Sequence, residues 1–485
     1  MNIHWRKYVL WFAQEHVDFR KAEIDSIAKL FDLKFNKLCP ESLKPFWIVE
    51  FPNEETALKI ASRSVLLRCV LELWSHSTSL PQFHNNVRHY ISQKENQTQQ
   101  YFQSNCSFKI NIETYNKHFS QKEKITKIET FDYLPLEGRV DLKNPCVEWW
   151  NIEFYGLNPQ DVPEEPDDLL FGRLVANGQR HLIKEFSLKK RKFIGNTSMD
   201  AQLSLLMANQ AMVQRGDLVF DPFVGTGSLL VSAAKFEGFV MGADIDYMML
   251  HAKARPSRIT QKVREKDESI LANLKQYGCE RFYMDVVVSD FSNPLWREEI
   301  RFDSIITDPP YGIREAIEKI ETKTSNKTQT RNEDAPHYPS TSQYSLHDLF
   351  SDLLAFAAKH LRIGGRLVCW VPFHREDYSK DFLPRSKHLV LVANSEQPLT
   401  GQTSRRLLTY EKISEPLDEC TPETEIIEFR ERYFDSGLES RTERRTRRAE
   451  LREIGKQEAL KRGKVLTKDG KTHKTELNKS RRANL

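Results

Sequence analysis

Four consecutive residues, Asp308-Pro309-Pro310-Tyr311, offer the most specific chemistry in this 485-residue chain. They follow the apolar run Ile305-Ile306-Thr307, so the carboxylate stands at the end of a strand. Two adjacent prolines stop a strand ladder and leave carbonyl oxygens with no amide donors beside them. Asp308 and the carbonyl after it therefore make a rigid group of acceptors, and Tyr311 sets a ring next to it. An exocyclic amine on a nucleobase is planar and a poor nucleophile, because its lone pair is delocalised into the ring. Acceptors that take both of its N–H hydrogens localise that pair and later receive the proton. A base drawn out of its stack can rest against the neighbouring ring. The plain alternative for such a string is a proline-rich turn.

Three other stretches place polar groups at strand ends. Asp221-Pro222-Phe223-Val224-Gly225-Thr226-Gly227 follows the strand Leu218-Val219-Phe220 and opens a helix. Gly225 and Gly227 allow a tight turn with a ligand lying against bare backbone, and the first amides of the helix are free to donate. Neither a G-x-G-x-x-G loop nor a Gly-Lys-Ser/Thr ending is present. An Asp at the strand end is awkward for pyrophosphate and suits a cationic amino-acid moiety. Asp244 closes the next strand, Phe239 to Ala243, where a carboxylate can accept both hydroxyls of a ribose. It could instead cap the following helix, a part that Asp246 fits better. Asp290 follows a third strand, Phe282 to Val288, and is placed to accept from an adenine amino group or to cap a turn.

The elements that must position these residues alternate strand and helix from Lys192 to about Ile413. Leu349 to Leu361 carries apolar residues at helical spacing up to Gly364-Gly365, and Arg366–Val371, His388–Val392 and Arg406–Tyr410 add three strands. Such alternation predicts a largely parallel, doubly wound α/β sheet with its ligands at the carboxyl ends of the strands. Before it, Gln82 to Asn105 reads as a polar connection and Asn158 to Asp168, with three prolines among acidic residues, as an interdomain linker. Glu315 to Gln343 is a polar insertion too long for an ordinary connection.

Composition sets the bounds. Hydrophobic residues are 39% and charged residues 29%, as in a soluble globular chain. No apolar run approaches the roughly 18 residues that span a bilayer, and the N-terminal stretch is no signal peptide. Seven scattered cysteines without a Cys-x-x-Cys pair argue against a disulfide framework or a cysteine zinc site, and for a reducing, cytoplasmic setting. The net charge of +4 hides an asymmetry: residues 441–485 carry 16 Lys/Arg against 6 Asp/Glu, a net of +10, which leaves −6 for the rest. That tail has no aromatics and reads as disordered or loosely helical, either a solvated extension or an arm for a polyanion.

The set of strand-end motifs resembles the class I S-adenosylmethionine-dependent amino-methyltransferases. The Asp221–Gly227 loop is similar to their cofactor loop, and Asp308-Pro309-Pro310-Tyr311 to their catalytic motif for planar nitrogen. Asp at the first position departs from the Asn-Pro-Pro-Tyr of protein-glutamine methyltransferases. Upstream, Thr197 and Asp200 resemble a capping box, and in the resemblance Thr197, Ser198 and Met199 border the methionine end of the cofactor. Tyr8–His16, Phe108–Ile112 and Val140–Pro145 resemble the ferredoxin-like segment and THUMP domain of tRNA-modifying enzymes. The whole is similar to the eukaryotic tRNA (guanine-N2)-methyltransferases that act at position ten.

The resemblance implies a Rossmann-like class I methyltransferase domain at 192–415, after an α+β ferredoxin-like/THUMP region at 1–165 and a linker at 166–191. An extension, 416–485, ends in the basic tail. The implied catalytic residues are Asp308, Pro309, Pro310 and Tyr311. The implied cofactor residues are Thr197, Ser198, Met199, Asp221, Gly225, Gly227, Asp244 and Asp290. S-adenosyl-L-methionine is the implied donor, with no metal in this chain. The implied partners are tRNA and a small zinc-binding methyltransferase activator that covers the third strand near Phe282, Met284 and Val286, with neither membrane nor DNA. Two rivals remain: a DNA or rRNA amino-methyltransferase of the N6-adenine type, and a non-catalytic tRNA-binding subunit.

Overall fold

The N-terminal strands are runs of large apolar residues, and a strand so composed must be covered on both faces. In the computed structural model, β1 (Arg6–Phe12) is buried from Tyr8 to Phe12 and sits between β3 (Phe46–Phe51) and β4 (Leu67–Ser77). The structure describes residues 5–38, 43–313, 315–321 and 339–416, with 422, 429, 433, 464–466 and 472–474. Adding β2 (Asn36–Lys37), β5 (Phe108–Tyr115), β6 (Val147–Phe154) and β7 (Asp168–Asn177) gives a seven-stranded mixed sheet in the order β2-β3-β1-β4-β7-β6-β5. The THUMP-like half is thus α+β, as expected.

Two expectations about this half give way. Gln82–Asn105 is mostly helical rather than a connection, with its main helix spanning Leu80–Gln93. Phe83, Val87, Tyr90 and Ile91 recur at helical spacing on one face and join a cluster with Trp74, Trp149 and Phe171. That buried face outweighs the polar composition. Asn158–Asp168 is no interdomain linker. It connects β6 to β7, and β7 pairs with β4 and β6 in the middle of the first sheet, so the segment 166–191 begins with a core strand.

The second sheet has the order β10-β9-β8-β11-β14-β16-β15, from β8 (Leu218–Asp221), β9 (Phe239–Asp244), β10 (Tyr283–Val288), β11 (Phe302–Thr307), β14 (Leu361–His374), β15 (Leu389–Pro398) and β16 (Thr403–Lys412). Neighbours from β10 through β14 are parallel; β16 runs antiparallel to both β14 and β15. This is the expected mostly parallel doubly wound sheet. The short strands β12 (Glu318–Ile320) and β13 (Thr341–Gln343) pair as a ribbon at the two ends of the polar insertion. The helix Leu346–His360 passes directly into β14. Gly364-Gly365 therefore lies inside that strand, at an irregularity opposite β11 where Gly364 has a φ of +80°, and does not end the helix.

The two sheets share one apolar cluster that includes Phe12, Phe19 and Ile24 from one side and Leu206, Trp370 and Leu407 from the other. Polar contacts fix the seam. The buried Glu23 carboxylate accepts from Ser64 Oγ, the amides of Val65 and Leu66, and Asn209 Nδ2 across the boundary. Arg366 donates to Ser26 Oγ at 2.9 Å and to the Gln210 carbonyl at 2.7 Å. A buried carboxylate with that many donors is costly to strip, so the N-terminal half is held in a set orientation to the α/β half. Within the separate unit 427–485, Lys464–Leu466 pairs with Thr472–Lys474, a short hairpin in the stretch expected to have no strands. The rest of the basic tail lies outside the described residues, as does 322–338 of the insertion. Among the described residues no helix is long and apolar enough to cross a membrane.

Candidate active site

The carboxyl ends of β8, β9, β10 and β11 bring Asp221, Asp244, Asp290 and Asp308 to one margin of the second sheet. Asp221 ends β8, and its Oδ1 accepts from Thr307 Oγ1 at 2.7 Å and the Phe223 amide at 3.1 Å, which locks the tips of β8 and β11 together. Burial pushes its pKa up to about 8 against those donors, with the Asp244 and Asp308 charges adding to the rise. Gly225 and Gly227 follow with φ of +48° and +74°. A Cβ on Gly225 would meet nothing within 4 Å, so the loop borders open space. A Cβ on Gly227 would come within 2.6 Å of Ile270 Cγ2.

Asp244 holds the same loop: its Oδ2 accepts the Gly225 amide at 2.8 Å and its Oδ1 the Asp246 amide at 2.9 Å. Burial raises its pKa to about 6. An ionised carboxylate has about four acceptor positions, so both oxygens keep one for a ligand. Asp246 is the cap, accepting from the Met249 amide at 2.9 Å. Asp290 accepts from the Ser292 amide at 2.9 Å and the Ile320 amide of β12 at 2.7 Å, which ties the insertion ribbon to the site.

The segment before the domain packs against this loop. Ser198 Oγ bonds Thr226 Oγ1 at 2.6 Å, and Thr197 Oγ1 donates to the Glu315 carboxylate. The capping box is corrected: Thr197 is not the cap of the helix Ala201–Gln210. Asp200 is, accepting from the Gln202 and Leu203 amides. A carboxylate adjacent to the first turn reaches those amides directly.

At the end of β11, the Asp308 carboxylate receives the Tyr311 hydroxyl on Oδ1 and Arg405 Nη1, from β16, on Oδ2 at 3.1 Å. Pro309 is buried and Pro310 half-buried behind it. Burial raises the pKa of Asp308, and Arg405 and the Tyr311 hydroxyl oppose that rise. Arg405 is itself fixed on several sides: its guanidinium lies 4.1 Å from the Trp370 ring centroid, and Nε donates to Gln397 Oε1 at 2.7 Å. Its Nη2 meets Met199 Sδ at 3.5 Å, which brings the Thr197–Met199 segment to the Asp308 group. Sequence reasoning passed over Arg405, Thr226, Thr307 and Glu315. Arg405 stands 97 residues from Asp308, and only the β11-β14-β16 order brings them together. Among the described residues, no three His, Cys, Asp or Glu side chains gather as a metal would require.

A Rossmann-like sheet with an Asp/Gly loop on its first strand and Asp-Pro-Pro-Tyr on its fourth, behind a THUMP-like half, defines a class I RNA methyltransferase. Comparison with known proteins makes this specific. Residues 6–180 match the family described as Tmrp11 THUMP N-terminal domain, and residues 189–329 the RMKL-like, methyltransferase domain. The tRNA (guanine(10)-N(2))-methyltransferase TRMT11 of Gallus gallus is 44% identical over 449 residues, covering 90% of this chain and 96% of its own. The Xenopus laevis protein of the same name is 46% identical, covering 91% and 94%. The crystal structure of TrmN from Thermus thermophilus aligns with 84% of this chain and 100% of its own at 16% identity and a TM-score of 0.43. The chain belongs to the tRNA (guanine(10)-N2)-methyltransferase family.

Proposed function

We propose that this chain is the catalytic subunit that transfers a methyl group from S-adenosylmethionine to the exocyclic N2 amine of guanosine 10 in tRNA. The observation that carries the reading is the Asp308 carboxylate at the tip of β11, beside the Gly225 loop, with an acceptor position left on each oxygen.

The open space over Gly225 and the spare acceptor positions of Asp244 fit the donor. Asp221 Oδ2 accepts from its ammonium group, Thr197, Ser198 and Met199 border its methionine end, and Asp244 accepts from its ribose hydroxyls. Asp290 stands at the adenine end with its spare acceptor positions. Once bound, S-adenosylmethionine supplies an electrophilic methyl group. The chain itself places the amine: Asp308 and the Pro309 carbonyl accept its hydrogens, Tyr311 gives the base a face, and Asp308 takes the proton released on transfer. Positioning of this kind supplies most of the acceleration when two bound groups meet in line.

The THUMP half holds the tRNA largely through its backbone. A small zinc-binding activator pairs with β10, the margin strand, whose only neighbour in the sheet among the described residues is β9. Met284 and Val288 are exposed on that edge at 53% and 41%, which supports strand addition there. Of the residues expected at the contact, Phe282 is buried in the turn before β10 against Phe239 and Val286 is partly buried against the core, so we assign the contact to Met284, with Val288 beside it. The setting is cytoplasmic, in keeping with cysteines 69, 106, 146, 279 and 369 being free thiols. Mapping of N2-methylguanosine in tRNA from cells lacking the chain tests the assignment. Loss of the modification at position 10 alone, restored by the wild-type gene, supports it; an unchanged position 10 overturns it.

A further inference from the structure

The acceptor group at Asp308 explains how an amine is held but not how guanine is told from another base that carries an amine at the same place. A carboxylate takes amine hydrogens from either. The discriminating atom of guanine is its O6 carbonyl, on the same edge as N1–H and N2–H, and a carbonyl needs a donor. The side chain that brings donors to the Asp308 group is Arg405.

Four contacts hold the guanidinium and leave one arm over. Nε is taken by Gln397 and Nη1 by Asp308 Oδ2 and the Tyr311 hydroxyl, while the plane lies over Trp370. Among the described residues, Nη2 has only the Met199 sulfur at 3.5 Å, a weak acceptor. The side chain is 12% exposed, so a donor on that arm is largely shielded from water, beside the Met199 segment that borders the Asp308 group. Neighbouring Asp308 and Arg405 thus present acceptor, acceptor and donor, the complement of N2–H, N1–H and O6. Arginine donating to O6 and carboxylates accepting from ring amines are the pairings by which bases are read elsewhere.

We propose that Arg405 is a specificity residue for this reaction, donating from Nη2 to the O6 carbonyl of the target guanine while Asp308 accepts from N1–H and N2–H. The inference rests on the reading of Asp308 as the amine acceptor. Beyond neutralising a carboxylate, Arg405 makes the site select a 6-oxo-2-amino purine. Adenine in the same register turns its N1 lone pair toward the Asp308 carboxylate and offers no carbonyl to the arginine.

The test compares tRNA carrying guanosine at position 10 with tRNA carrying 2-aminopurine there, which keeps the 2-amine but lacks both the carbonyl and the N1 hydrogen. The Asp308–N1 contact is therefore part of the wild-type preference, and the change of preference on altering Arg405 reports the O6 contact. Full-length wild type, Arg405→Lys and Arg405→Met are prepared in the form in which the wild type is active, and kcat/KM is measured for both substrates. Lys keeps a positive charge beside Asp308 but loses the second donor arm. The preference of the wild type for guanosine should shrink in both variants by on the order of 10- to 100-fold, the worth of one charged hydrogen bond. A preference unchanged in both would mean that Arg405 only holds Asp308, and overturns the proposal. Asp308→Ala run beside them separates the two ideas. If it stays active on either substrate the amine-acceptor reading fails, whereas loss on both with an altered preference in the Arg405 variants supports the two together.

Discussion

Replacing Asp221 with Asn removes a charge while keeping the Oδ1 acceptor that Thr307 and the Phe223 amide use. The wild-type side chain is 1% exposed, and burial lifts its pKa from 3.8 to about 8. Between those values the folded chain holds a proton that the unfolded chain has lost. The ligand-free protein is therefore most stable below the unfolded pKa, and that stability is lost as pH rises through the folded one. About four units at ~1.4 kcal/mol each put the charging cost at on the order of 5 kcal/mol above pH 8. Asn carries none of it. Asp221→Asn should accordingly unfold at a higher temperature than wild type at pH 8.5, with the gap much narrower at pH 5 and closing only below the unfolded pKa. Binding of S-adenosylmethionine should move the other way, because its ammonium group stabilises the ionised carboxylate. Wild-type affinity should rise with pH toward 8 with proton release, and the variant should bind about 10- to 100-fold more weakly, the loss of one charge-assisted hydrogen bond. Thermal unfolding at the two pH values, with titration calorimetry in buffers of different ionisation enthalpy, reads both effects. A variant that is less stable at pH 8.5 yet binds the donor as tightly would refute the reasoning.

Three further outcomes follow from separate features. Gly225→Val should abolish donor binding by calorimetry, because a branched side chain would fill the open space and sit at a φ of +48°; unchanged affinity would make the loop purely structural. Met284→Lys on the exposed β10 edge should leave the melting temperature of the lone chain within the small range of surface substitutions, yet weaken co-purification with the activator; equal recovery would remove β10 as the contact. Deleting residues 441–485, net +10, should weaken tRNA binding mainly at low salt and flatten the dependence of log Kd on log salt, and coincident titrations would rule that out.

The strand-end motifs were legible because their signals are local. A short apolar run followed by Gly or Pro-Pro marks both the strand and the turn that exposes its last carboxylate, and so Asp221, Asp244, Asp290 and Asp308 stand at one sheet margin. The position of β10 at the lateral edge of the sheet followed from the resemblance and is observed. What failed had a physical cause in each instance. Leu80–Gln93 hides two buried and two partly buried apolar residues among polar ones, and composition averages them away. The proline-rich, acidic stretch before Asp168 punctuates a loop inside a sheet with the same residues that mark a domain boundary. Thr197 matched a cap by spacing, but Asp200 stands closer to the helix amides and takes them. Arg405 carries no local signal at all: an arginine on a strand declares its role only when the sheet order sets it beside Asp308.

The most direct measurement is methyl transfer to unmodified tRNA by wild type and Asp308→Ala, with the methylated nucleotide located by nucleoside mapping and both ligands' affinities measured alongside. Asp308 acts on the amine as it is attacked, so its loss should leave binding of tRNA and S-adenosylmethionine nearly intact and cut turnover by on the order of 10²-fold or more. Wild type should place its methyl group on N2 of guanosine 10. Near-full turnover by Asp308→Ala, or methylation of a different nucleotide by the wild type, would contradict the assignment.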